Sequence, residues 1–142
     1  MNYPTVFDLI AEEFGKAGVA YALVGGFAVN AYHVARQTAD VDLLLVDPTT
    51  LKRVCAEGKM IKIAGNDFRV PSLRHLIAMK LHAIKSNPSK RWVEDLPDIV
   101  ALMKKNRLSL TDPVMIELCG KFGTSDIWVK LKEFSQEAYG EK

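Results

Sequence analysis

The spacing of hydrophobic residues predicts helices and strands in the first third of the chain. Residues 5–16 place apolar side chains on one face of a helix. The apolar run 19–24 closes at Gly25-Gly26, which predicts a buried strand entering a tight turn, with a helix over 27–35 after it. Residues 39–46 alternate at first and then become wholly apolar. They predict a second strand, lying beside the first.

The rest of the chain predicts one hairpin and then helices. A short helix over 50–56 precedes two apolar segments around Gly65-Asn66-Asp67, which is typical of a hairpin turn. Four further helices are predicted at 72–86, 90–105, 113–118 and from 125 onward, with Pro97 marking a start or kink. This order indicates an α/β or α+β fold, a small mixed sheet with helices packed on it, followed by a helical C-terminal part.

The composition limits the class of protein and the number of domains but does not indicate a function. The 142 residues are 49% hydrophobic and 25% charged, enough for one globular domain with its own core. We therefore predict a single domain over 1–142, with a core of about 1–72 and a helical part of about 73–142. The net charge of +2 is too small to indicate nucleic-acid or membrane binding.

The location of the protein is predicted from what its sequence lacks. Cys55 and Cys119 are too far apart for a CxxC motif, which favours reduced thiols over a zinc site or disulfide framework. The first residues do not have the pattern of a secretory signal, and no apolar stretch is long enough to cross a bilayer. The prediction is a cytoplasmic protein without a membrane partner.

Two acidic residues within the second predicted strand are the best candidates for chemistry. Side chains two apart on a strand point to the same face, so Asp40 and Asp42 would present paired carboxylates while Val41 and Leu43 turn inward. Like charges that close repel unless a cation lies between them. Carboxylate pairs suit Mg²⁺, which also takes substrate phosphates and water as ligands. A solvated strand end is the alternative interpretation.

The glycine pair at the end of the first predicted strand offers a complementary feature. A backbone without Cβ atoms can approach a phosphate closely and donate N–H groups to it. Gly25-Gly26 alone is weak support, because such pairs more often mark ordinary turns. The combination of this turn with the Asp pair thirteen residues later is what indicates a site.

Together these motifs resemble the nucleotidyltransferase superfamily, whose signature is an apolar residue, Gly-Gly or Gly-Ser, a spacer, and Asp-apolar-Asp/Glu-apolar. The sequence of residues 36–42 is similar to the corresponding segment of small members of this superfamily, which are related to abortive-infection and toxin–antitoxin nucleotidyltransferases. Val70–Lys80 and Glu94–Ile99 match further segments of that group. The resemblance covers most of residues 20 to 105, and 117–124 also looks similar.

The resemblance implies a Mg²⁺-dependent transfer of a nucleoside monophosphate from an NTP to an acceptor hydroxyl on RNA or protein. Asp40 and Asp42 would be catalytic and hold one or two metal ions, and Gly25 and Gly26 would cradle the phosphates. Arg36, Thr38 and Lys80 complete the implied nucleotide-binding set. A toxin–antitoxin or phage-defence role, and a cognate partner protein, belong to the same expectation.

The family usually carries a third carboxylate on a later strand, and this sequence does not reveal one. Asp67 follows Gly-Asn and is predicted to lie in a turn. Asp95 and Asp98 share a helix face and either approach the site or cap neighbouring helices. These three are second-tier candidates.

Several basic residues have two interpretations each. Lys80 lies on the apolar face of its helix, where it reaches a carboxylate or a triphosphate, or extends its ammonium to solvent. Arg36 binds phosphate or neutralises Asp40. The basic residues within 85–107 suit a polyanionic acceptor or, more simply, form a solvated helix face.

Two alternatives to an active enzyme follow from the missing carboxylate. One is a catalytically inactive nucleotidyltransferase-fold module that binds a nucleotide or a protein. The other is one half of a two-component toxin–antitoxin system, in which the second chain completes the site.

Overall fold

The computed structural model describes the backbone of residues 5–35 and 40–139, with side chains to 135. Seven helices occur there: α1 (Val6–Ala17), α2 (Gly26–Ala31), α3 (Pro48–Val54), α4 (Leu73–Ser86), α5 (Pro88–Lys105), α6 (Pro113–Phe122) and α7 (Ser125–Tyr139). Four strands accompany them: β1 (Tyr21–Val24), β2 (Asp42–Leu45), β3 (Lys59–Ile63) and β4 (Asn66–Val70). The α+β class is thereby confirmed.

The strands form two antiparallel pairs within the described residues. β1 pairs with β2, from Tyr21 opposite Leu45 to Val24 opposite Asp42, so the two strands are neighbours as predicted. β3 pairs with β4, and β1 also packs against β4 without a hydrogen-bonded ladder. The prediction of one mixed sheet is therefore wrong for this part of the chain, because no parallel pairing joins the two ladders.

The turn of the β3–β4 hairpin corrects the predicted position of Asp67. Ala64 and Gly65 have φ values of 53° and 81°, and Ile63 and Asn66 close the ladder on either side. Two left-handed residues in a row are the geometry that matches the twist of a two-residue hairpin. Asp67 therefore lies in β4 rather than in the turn, and it pairs with Lys62 across the ladder.

Helix ends differ from the predicted ones where the backbone leaves the helical region. α2 ends at Ala31, four residues earlier than expected, and His33 has a φ of 72°. α5 begins at Pro88, because a proline fits the first turn of a helix, where its missing N–H costs nothing. Pro97 lies inside this helix and does not start it.

A capping box fixes the start of α1. The backbone N–H of Thr5 donates to Asp8 Oδ2 at 2.8 Å, and the backbone N–H of Asp8 donates to Thr5 Oγ1 at 3.2 Å. Asn66 Nδ2 donates to the other carboxylate oxygen of Asp8 at 2.6 Å. The hydrogen bond from the Thr5 backbone, followed by those from Asn66 and the Thr5 side chain, lowers the pKa of Asp8.

The chain divides into two compact units. The first, called the N-terminal unit, contains the described residues 5–31 and 40–72, and the second, called the helical unit, contains 32–35 and 73–139. Edge-to-face aromatic contacts organise the first core, with Phe7 at 5.2 Å from Phe27 and 5.7 Å from Phe68. The core of the helical unit is aliphatic and includes Leu76, Ile77, Leu81, Ile84, Leu96, Ile99, Leu102, Met115, Leu118, Ile127 and Leu131.

Candidate functional site

Gly25 and Asp42 meet at the end of the first strand pair. Val24 lies opposite Asp42 in the last step of the β1–β2 ladder, so the residue that follows Val24 reaches the Asp42 side chain. A Cβ atom added to Gly25 would collide with Asp42 Oδ2 and would lie 3.0 Å from Asp42 Cβ. The carboxylate of Asp42 therefore lies directly against the backbone of the glycine turn.

The backbone of Gly25 requires glycine for a second reason. Its φ is 71°, in the left-handed region that side chains with a Cβ disfavour. The carbonyl oxygen of Gly25 accepts a hydrogen bond from the backbone N–H of Val29 at 3.0 Å. Gly26 is the first residue of α2 and is buried. The turn is thus held between a strand and a helix, with its open side next to a carboxylate.

Asp40 lies just before the second strand rather than within it. The exposed residues Asp40 and Asp42 alternate with the half-buried Val41 and Leu43, as expected for an extended segment. The expectation that the strand carries both carboxylates is therefore correct for Asp42 alone, because the ladder begins there. Both acids are nevertheless exposed and near in sequence, at one end of β2. Arg36 and Thr38 lie outside the described residues.

Asp67 is placed away from the Asp42 end of β1. It lines a cavity of about 310 Å³ together with Val19, Ala20 and Tyr21, at the start of that strand. Asp42 pairs with Val24 at the other end, three residues and roughly 10 Å further along an extended chain. Asp67 also forms a 3.6 Å ion pair with Lys62. This arrangement does not bring Asp67 to Asp42 as a third carboxylate.

Lys80, Asp95 and Asp98 come together inside the helical unit. Lys80 Nζ lies 2.9 Å from Asp95 Oδ1 and 3.0 Å from Asp98 Oδ2, and the three residues are 7%, 2% and 8% exposed. The lysine therefore reaches carboxylates, one of its predicted alternatives, and does not extend its ammonium to solvent. A buried ammonium needs such partners, since an unpaired one would be strongly destabilised.

Arg91 completes this buried charge cluster. Its Nε lies 2.6 Å from Asp95 Oδ2, and its Nη1 lies 3.3 Å from Glu94. Arg91 is one of the basic residues within 85–107, and its pairing with Asp95 was not predicted from the sequence. The spacing of four residues on one helix was the signal that could have revealed it. Five other basic residues of the segment are exposed: Lys85, Lys90, Lys104, Lys105 and Arg107.

The donor set near Gly25 suits a hard cation that is held partly by substrate. Two carboxylates with accessible oxygens match the one or two that Mg²⁺ normally takes from a protein, the remainder being phosphate oxygens and water. In the part of the chain that the structure describes, no group of three or more His, Cys, Asp or Glu residues could enclose a metal ion alone.

Comparisons with known proteins add no support for the resemblance to nucleotidyltransferases, which rests on the sequence motifs described above. The sequence matches no protein-family model and no curated protein. None of the helices within 5–35 and 40–139 combines the length and hydrophobicity that crossing a bilayer requires.

Proposed function

We propose that the protein is a nucleotidyltransferase that transfers a nucleoside monophosphate from an NTP to an acceptor hydroxyl in a Mg²⁺-dependent reaction. The observation that carries this proposal is the contact between the carboxylate of Asp42 and the left-handed turn at Gly25. A phosphate approaching that turn would meet the carboxylate at once, and two negative groups so close require a cation between them. This is the pairing that the Gly-Gly and Asp-x-Asp motifs imply.

Each residue of the proposed site has a separate task. Gly25 and Gly26 would form the turn that the triphosphate approaches, with Asp42 against the backbone of Gly25, while Asp42 and Asp40 would supply carboxylate oxygens at its edge. Bound Mg²⁺ would neutralise phosphate charge and align the attacking and leaving oxygens. The acceptor would be RNA or protein, and a toxin–antitoxin or phage-defence setting is part of the proposal.

A second candidate is a catalytically silent module of the same fold. It is favoured by the position of Asp67, which pairs with Lys62 and lines a cavity at the start of β1. It is favoured further by the burial of Asp95 and Asp98 around Lys80, which occupies both carboxylates with a cation of the chain. Such a module would bind a nucleotide or protein without transferring anything.

Calorimetric titration with NTP, in the presence and absence of Mg²⁺, tests the site. The wild type should bind NTP more tightly with Mg²⁺, and Asp42→Asn should weaken that binding about tenfold or more, since it removes a charge-assisted ligand. Asp67→Asn is a matched control, because it neutralises another exposed acid of the same unit. Equal metal-dependent affinity for NTP in the wild type and in Asp42→Asn would contradict the site. If neither protein binds NTP in a metal-dependent way, the silent module is favoured.

Turnover separates the active and silent alternatives. We expect transfer from radiolabelled NTP to be slow in the isolated chain, or to require the cognate partner. The reason is that two carboxylates leave the acceptor hydroxyl without a positioned base, and such a base contributes about a hundredfold to ten-thousandfold. Brisk transfer by the isolated chain would show that this reaction does not need the missing base.

A further inference from the structure

A basic cavity on the N-terminal unit lies apart from the Gly25–Asp42 contact. Its volume is about 360 Å³, at the lower end of the range for small-ligand pockets. Three cationic side chains, Lys52, Lys59 and Arg69, line it, and the remaining lining residues are Cys55, Ala56, Gly58 and Met60. None of the lining residues that the structure describes carries a carboxylate, so this part of the cavity concentrates positive charge.

The cations come from three different elements. Lys52 lies on α3, Lys59 on β3 and Arg69 on β4, and the pairing of Met60 with Arg69 brings the two strands to the cavity. Lys59 Nζ donates to the carbonyl of Ala31 at 3.0 Å, which fixes this lysine near the wall. These cations are spread over residues 52–69 of the sequence, and only the β3–β4 hairpin and the preceding helix α3 bring them together.

Lys52 and Arg69 have donor groups that can bind a ligand. Within the described residues, neither Lys52 nor Arg69 forms an ion pair or side-chain hydrogen bond, and both are exposed. This differs from Lys62 on the same hairpin, which pairs with Asp67. A guanidinium and an ammonium without carboxylate partners can both donate to an incoming anion.

Cys55 lines the cavity near Arg69. Burial raises the pKa of this half-buried thiol, and the charge of Arg69 acts against that increase. Gly58 also lines the cavity, and a Cβ added there would collide with the carbonyl oxygen of Val70 and lie 3.1 Å from Pro71 C. The lining at Gly58 is therefore closely packed backbone, whereas Lys52 and Arg69 are exposed.

We propose that this cavity binds a phosphate group, held by Arg69 and Lys52, with Lys59 adding positive charge to the same cavity. The ligand is a phosphate-bearing anion, either a free polyphosphate or a phosphodiester of a nucleic-acid strand. Arginine offers two parallel N–H donors to phosphate oxygens, and lysine adds a point charge. Binding here requires neither Mg²⁺ nor Asp42, so the inference stands independently of the proposed transfer reaction.

Titration in EDTA with inorganic triphosphate and with a short single-stranded oligonucleotide tests the proposal. Arg69→Gln and Lys52→Gln should each weaken triphosphate binding about tenfold. Arg53→Gln is the matched control: it removes the same charge from the neighbouring position of α3 but does not line the cavity. It should change the affinity less than about twofold, whereas equal weakening by all three variants would overturn the proposal in favour of diffuse surface charge.

The two probes distinguish the sources of the phosphate. If the oligonucleotide binds and loses affinity in the same two variants, the ligand is a nucleic-acid backbone, and its affinity should fall steeply with salt. If only triphosphate responds, the ligand is a free polyphosphate. Binding of neither probe overturns the site. Binding in EDTA depends on neither Mg²⁺ nor the Asp42 charge, so failure of the proposed active site and failure of this cavity can be told apart.

Thiol labelling gives a second measurement on the same samples. Cys55 lines the cavity, so bound triphosphate should slow its alkylation several-fold. Cys119 is the internal control, because it lies in the helical unit and burial raises its pKa to about 11. Triphosphate that leaves the rate at Cys55 unchanged would contradict occupancy of the cavity.

Discussion

Two pairs of acidic residues, Asp40 with Asp42 and Asp95 with Asp98, have opposite surroundings. Asp42 is exposed and lies against a glycine backbone, whereas Asp95 is 2% exposed and contacts both Lys80 and Arg91. The first group is exposed to solvent, whereas the second is buried and neutralised by cations of the chain. Carboxylates that already have internal cations cannot serve a ligand without breaking those pairs.

The difference also separates a binding role from a structural one. A buried ion pair gains little net stability over apolar packing, yet removing one partner leaves an uncompensated charge in the interior. An exposed carboxylate has no such penalty, because water solvates it. The helical unit should therefore respond to changes in its charges through stability, and the N-terminal unit should respond at Asp42 through ligand binding.

The largest effect is expected for Lys80→Met. Asp95 and Asp98 would lose the ammonium that lies 2.9 and 3.0 Å from their oxygens. Loss of one partner from a buried pair costs about 3–5 kcal/mol. Urea denaturation should show this decrease in the free energy of unfolding. Lys85→Met, on the exposed face of the same helix, should stay within about 0.5 kcal/mol of the wild type.

A smaller loss is expected for Gly25→Ala, with Gly18→Ala as its control. Both glycines have positive φ, 71° and 67°, so alanine at either position costs about 1–2 kcal/mol. Only at Gly25 does the added Cβ meet Asp42, since nothing lies within 4 Å at Gly18. We expect Gly25→Ala to cost about 1 kcal/mol more by urea denaturation and to weaken metal-dependent NTP binding.

An equal loss in the free energy of unfolding for Gly25→Ala and Gly18→Ala, with unchanged NTP affinity, would contradict the role given to Asp42 in the N-terminal unit. That result would mean that Asp42 swings away from the turn freely. The contact at Gly25 would then have no part in positioning the carboxylate for a ligand.

Local patterns predicted the elements better than the pairings between them. The alternation around Asp42 and the glycine pair after Val24 predicted two neighbouring strands, and the ladder confirms this. The turn position of Asp67 was wrong, because the hairpin uses Ala64 and Gly65 as its left-handed pair. Gly65, Asn66 and Asp67 are all common turn residues, so the sequence alone does not show which two residues of this segment adopt positive φ.

The charge pairs show a different limit. The apolar face of α4 predicted that Lys80 needs a partner, but partners on α5 depend on how two helices pack, which periodicity does not determine. The third carboxylate near Asp42 was not revealed by the sequence, and Asp67 does not supply it. The transfer reaction stays a prediction that rests on the motifs and on the Gly25 contact.

A still smaller effect is expected when the Asp8 cap is removed. Backbone and side-chain hydrogen bonds lower the pKa of Asp8, so its ionised form stabilises the folded state above about pH 4, and this contribution is lost as the pH falls through the lowered pKa. Asp8→Ala should therefore be less stable than the wild type at pH 7, by less than Gly25→Ala. Thermal unfolding at pH 7 and at lower pH should show the gap closing on acidification. A gap that stays constant with pH would mean that the carboxylate charge is unimportant to the cap.

The smallest stability effect is expected at Asp42 itself, and this prediction tests the comparison most directly. Asp42→Asn keeps the shape of the side chain beside Gly25 and removes an exposed charge that has no buried partner, so the free energy of unfolding should stay within about 0.5 kcal/mol of the wild type. A slight gain is compatible with relief of repulsion from Asp40. The same variant should show the weakened metal-dependent NTP binding, whereas Lys80→Met should keep NTP affinity under conditions where it remains folded. A large loss of stability in Asp42→Asn would instead make this carboxylate a structural group, and the distinction between the two acidic groups would disappear.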